Sequence, residues 1–134
     1  QRESMEVRMS QSVYVLIRPD GTVGWGERIG LAEEELGPHG IGRAFLTDGS
    51  TRLRVAMSDC ALLLTDEYEP NPYARKALAH VAGMSADAAP ETRGPVILFG
   101  WDPRNEWDST RPFSADERAL IGEALEAAGC ATGS

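Results

Sequence analysis

The chain has 134 residues, of which 42% are hydrophobic and 25% charged, and it carries a net charge of −8. That is chain enough for one hydrophobic core and too apolar a composition for a disordered segment. Its carboxylate excess opposes binding to phosphate backbones or anionic lipid, so a nucleic-acid partner is disfavoured and a membrane partner is not expected.

The charge is uneven: residues 1–65 carry seven basic and nine acidic side chains, residues 66–134 six and twelve. Cys60 and Cys130 stand seventy positions apart, without the dense spacing of a disulfide scaffold, and read as reduced thiols. No apolar run approaches the ~20 residues that span a bilayer, and no signal-peptide core is present, so the expected compartment is the cytoplasm.

Gln1–Ser4 precede the first methionine, so residues 1–11 are read as a flexible N-terminus or a cloning scar, with Met5 or Met9 as the natural start. In Ser12–Arg18, Val13, Val15 and Ile17 alternate with Tyr14 and Leu16. A run apolar on both sides predicts a central, covered strand. Pro19-Asp20-Gly21-Thr22 is a turn by composition, and Val23–Glu27 is the return strand of a hairpin.

Leu31–Leu36 is expected as a short helix with Glu33, Glu34 and Glu35 toward water, stopped at Gly37-Pro38. Arg43–Thr47 and Thr51–Met57 flank Asp48-Gly49-Ser50 and read as a second hairpin. In its second arm Thr51, Leu53, Val55 and Met57 share one face, and Arg52, Arg54 and Ala56 the other, the period of a half-buried strand. Ala61–Thr65 is a further strand candidate.

Asn71 suits an N-cap, Pro72 the first helical position and Gly83 a left-handed C-cap, which predicts a helix over 72–82 with Ala74, Ala77, Leu78 and Val81 buried. Met84–Arg93 is a loop and Pro95–Phe99 the last strand. Ser114 with Glu117 forms a capping box that opens a helix over 115–128, with Leu120, Ile121, Ala124, Leu125 and Ala128 inward and Gly129 at its end. Residues 130–134 should fray. Hairpins first and helices late predict one α+β domain over 12–129: a mainly antiparallel sheet of five or six strands with two main helices.

The order of hairpin, acidic segment, second hairpin, Asp66-Glu67-Tyr68-Glu69-Pro70-Asn71-Pro72-Tyr73-Ala74 and Gly94-Pro95-Val96-Ile97-Leu98-Phe99-Gly100 resembles the domain of unknown function 3846 family over residues 12–100. The resemblance implies an accessory protein of phage, plasmid or actinobacterial genomes, encoded on a mobile element. It brings no activity and no catalytic residue. The Met84–Arg93 loop and everything after Gly100 depart from the family pattern.

His39 and His80 fall in no metal-ligand spacing, HExxH and CxxC are absent, and neither a metal nor another cofactor is expected. Cys60 with His80 is the one conceivable nucleophile pair, but a cysteine where an apolar strand begins is more simply buried and inert. No catalytic residue is assigned, and the balance leans away from an enzyme. The segment from Trp101 to Pro112 is the most site-like composition, with Trp101, Asp102, Arg104, Trp107 and Asp108 as candidate binding residues. Tryptophan and arginine dominate interface energetics, and the simpler role for both indoles is to cover the core edge.

The expectation is therefore a small accessory protein that binds another, unidentified protein. The alternatives are a small-ligand binder or enzyme with a pocket near Trp101–Pro112, and a nucleic-acid accessory protein using Arg52 and Arg54, joined by Arg18 or Arg43.

Overall fold

The computed structural model describes residues 12–37, 40–45, 53–101 and 110–130, with the backbone alone for 43–45. Its elements in chain order are β1 (Tyr14–Ile17), β2 (Val23–Gly26), α1 (Ile29–Glu34), β3 (Ile41–Phe45), β4 (Leu53–Ser58), α2 (Pro72–Ala82), a 3₁₀ turn at Ala86–Ala88, β5 (Val96–Gly100) and α3 (Ala115–Ala128). The five strands form one antiparallel sheet in the order β2-β1-β5-β4-β3, giving the α+β fold that the pattern of elements predicts.

β1 and β5 are apolar on both sides because both faces of the sheet are covered. On one face Val15, Ile17, Leu53, Val96 and Leu98 meet Ala74, Ala77, Leu78 and Val81 of α2 and Ile121, Ala124, Leu125 and Ala128 of α3. On the other, Leu16, Ala56, Ile97 and Phe99 lie under Ile29 and Ala32 of α1 and the following Leu36. Each large side chain so buried contributes about 1.5–3 kcal/mol.

Both main helices are capped as expected. Asn71 Oδ1 accepts the Ala74 amide at 3.0 Å, and Gly83 closes α2 at φ 72°. Ser114 and Glu117 form the full capping box, and Gly129 closes α3 at φ 82°.

Four expectations are corrected. Ala61–Thr65 is not a strand: the amides of Ala61, Leu63 and Leu64 bond back to Ser58 and Cys60 as successive turns. Leu63 is left 81% exposed. An apolar triplet scores as a strand on composition, but here the chain is bending away from β4. Cys60 accordingly sits half-buried in a turn, not where a strand begins.

α1 and β3 each begin two residues before their expected starts, because Ile29 and Ile41 extend those elements. β4 is not half-solvated either, since Ala56 on its second face is fully buried. The Asp48-Gly49-Ser50 turn, residues 1–11 and residues 131–134 lie outside the described residues. No helix among the described residues is long and apolar enough to cross a membrane.

Candidate functional site

Antiparallel register sets Tyr14, Phe99 and Arg54 side by side across β1, β5 and β4. Trp101 lies two positions beyond Phe99 and so on the same face. There it packs half-buried against the smaller core, as does Tyr14. The Arg54 guanidinium carbon stands 4.1 Å from the centre of the Trp101 ring, within the range of a cation–π contact. Thus one of the five sequence-predicted binding residues joins an arginine from the second hairpin. Asp102, Arg104, Trp107 and Asp108 lie outside the described residues.

The base of the 102–109 segment is held firmly. Trp101 and Thr110 form an antiparallel bridge. The Arg111 amide donates to the Gly100 carbonyl at 3.0 Å, and Arg111 Nε donates to the Trp101 carbonyl at 3.2 Å. Its two terminal nitrogens meet Glu117 Oε1 and Oε2 at 2.7 and 2.8 Å. Burial pushes the Glu117 carboxyl up, but the Arg111 guanidinium and the Ser114 amide outweigh it and hold it below its ordinary value. One bidentate pair therefore ties the segment that begins at Trp101 to the N-terminus of α3. Composition alone offers Glu117 as a capping residue and gives no sign that Arg111 shares it.

The Asn71 region is structural. The Asn71 side chain, 1% exposed, donates to the carbonyls of Ile17 and Gly94 at 2.9 and 2.8 Å while it caps α2. Tyr73 stacks on the turn after β1: a Cβ at Gly21 would lie 3.0 Å from its ring. Tyr68 is buried, its hydroxyl donating to the Leu36 carbonyl at 3.2 Å and accepting from Ser58 Oγ at 3.1 Å.

At this end of the sheet, before β5, an open cleft of about 400 Å³ is lined by Pro19, Glu35, Leu36, Glu67, Tyr68 and Glu69 among others. Trp101 follows β5, so this cleft lies at the opposite end of that strand from the expected pocket. The sequence signal for it is the acidic run before Asn71.

Of the four arginines of the expected stripe, the side chains of Arg18 and Arg54 are described. Arg18 makes a bidentate pair with Glu35, both bonds at 2.9 Å, and Arg54 lies over Trp101. Arg52 and the Arg43 side chain lie outside the described residues. His80 is exposed in the last turn of α2, and His39 also lies outside the described residues. Cys130 is a free thiol whose pKa burial pushes up, which makes it a poor nucleophile. Among the described residues, no group of three or more His, Cys, Asp or Glu side chains is placed to hold a metal ion. No protein-family model, curated protein or solved structure matches the chain.

Proposed function

We propose that the protein acts by binding another protein, through the end of the sheet where Arg54 lies over Trp101. The observation that carries this reading is that contact: an arginine and a tryptophan, the residue types that most often dominate binding energy, stacked at the base of a clamped segment. The motifs at Asn71 and Gly94 support its further assignment, on resemblance, to accessory proteins encoded on mobile elements.

Affinity capture from the source organism's lysate, run in parallel with wild type, Arg54→Gln and Trp101→Phe, tests this reading. A partner recovered by wild type and depleted at least fivefold by both variants is the expected result. Equal recovery by all three would remove the site. A second reading, a small-ligand site, is favoured by the open cleft beside Tyr68, lined by Glu67 and Glu69 as well as by the Arg18-paired Glu35. Equilibrium dialysis against a panel of polyamines checks it, and no retention of any of them would count against it.

A further inference from the structure

β3 is an edge strand: the sheet order ends there, and among the described residues β4 is its only partner. The Asp59 amide donates to the Gly40 carbonyl at 2.7 Å, which fixes the phase of the ladder. Hydrogen-bonding direction alternates along an antiparallel strand. Gly42 and Ala44, opposite Met57 and Val55, therefore turn their backbone groups toward β4. Ile41, Arg43 and Phe45 turn theirs outward, where no strand among the described residues pairs with them, so three N–H and three C=O groups form a template.

Beyond the β4 residue that pairs with Ile41 the chain carries exposed apolar side chains. Ile41 pairs with Ser58, the last residue of β4, and the turn that follows carries Leu62 and Leu63, 47% and 81% exposed, while Ile41 itself is 37% exposed. Two adjacent, outward leucines in a tight turn contribute nothing to either core.

Charge selects the occupant. Residues 59–70 carry four carboxylates, Asp59, Asp66, Glu67 and Glu69, and no basic side chain. The Asp59 carboxylate lies against the edge itself, where a Cβ on Gly40 would come 2.7 Å from its Oδ2. Pairing two copies edge to edge would set two chains of net charge −8 together.

We propose that β3 accepts an extended segment of a basic, apolar partner as a sixth strand, with Leu62 and Leu63 receiving its apolar side chains. Main-chain bonds supply affinity in this mode and side-chain pockets supply selectivity. The Phe45 end of this edge adjoins the Arg54–Trp101 contact, because Phe45 pairs with Arg54, whereas Leu62 and Leu63 follow the opposite end of β4.

The test uses the full chain and three fluorescent twelve-residue peptides: alternating Val-Lys, alternating Val-Glu, and Val-Lys with alternate backbone nitrogens methylated. Fluorescence anisotropy should show the unmodified Val-Lys peptide binding at least tenfold tighter than either of the others. Amide exchange in the complex should slow at Ile41, Arg43 and Phe45 and stay unchanged at Gly42 and Ala44. Leu63→Asp should weaken binding at least threefold, whereas Lys76→Gln at an exposed position of α2 should leave it unchanged. Equal binding of the methylated peptide would show charge attraction without strand pairing and overturn the proposal. Equal binding of the Val-Glu peptide, or no binding of the Val-Lys peptide, would overturn it too.

Discussion

The Asn71 side-chain amide donates to the Ile17 carbonyl at 2.9 Å across 54 positions of sequence, and its second N–H reaches the Gly94 carbonyl at 2.8 Å. One buried residue therefore joins the end of β1, the approach to β5 and the start of α2. An N-cap alone would tolerate aspartate as well as asparagine. Here Asn71→Asp would set a carboxylate against two carbonyls, and it should cost about 3 kcal/mol or more. Urea unfolding checks this, and a loss below about 0.5 kcal/mol would reduce Asn71 to a simple cap.

Gly94 should be intolerant for two reasons that coincide. Its φ of 70° lies in the left-handed region, and an added Cβ would fall 2.7 Å from Tyr68 Cδ1. Gly94→Ala is expected to destabilise by about 2 kcal/mol, more than the cost of φ alone. Gly83→Ala shares the backbone strain, has open space around the new methyl, and should cost less.

The Arg111–Glu117 pair predicts a pH dependence. The folded pKa of Glu117 is depressed, so its stabilisation is complete above the ordinary glutamate value of about 4.3 and is lost as pH falls through the folded value. Glu117→Gln keeps a capping side chain and loses the charge. It should be about 1 kcal/mol less stable than wild type at pH 7, with the gap closing in acid. Thermal melts across pH 2–7 check this, and a gap independent of pH would contradict it.

Leu63 and Leu98 should respond oppositely to truncation. Leu98, 1% exposed, sits in the larger core, and Leu98→Ala should cost about 2–5 kcal/mol. Leu63 is in a turn and 81% exposed, so Leu63→Ser should change stability by less than about 0.5 kcal/mol. A large effect at Leu63 in urea unfolding would restore the strand reading of this segment.

Local chemistry made the helices legible: Asn71, Pro72 and Gly83 bracket α2, and Ser114, Glu117 and Gly129 bracket α3. Two-sided apolarity marked β1 as a covered strand. Composition failed at Leu62-Leu63-Leu64, because only the backbone bonds to Ser58 and Cys60 distinguish a turn from a strand there. The site was half legible. Trp101 stands out by residue type, but its partner Arg54 is 47 positions away and meets it only through the β4–β5 register. The second roles of Asn71 and Glu117 were hidden for the same reason, since their long-range partners are set by tertiary packing.

The binding account is tested most directly by a photo-crosslinking benzophenone amino acid placed at Thr110, the bridge partner of Trp101, in one variant and at exposed Lys76 on α2 in another, each irradiated in cells of the source organism. A discrete adduct with a second protein from position 110, absent from position 76, is the predicted result. Adducts of equal yield from both positions, or none from position 110, would contradict it.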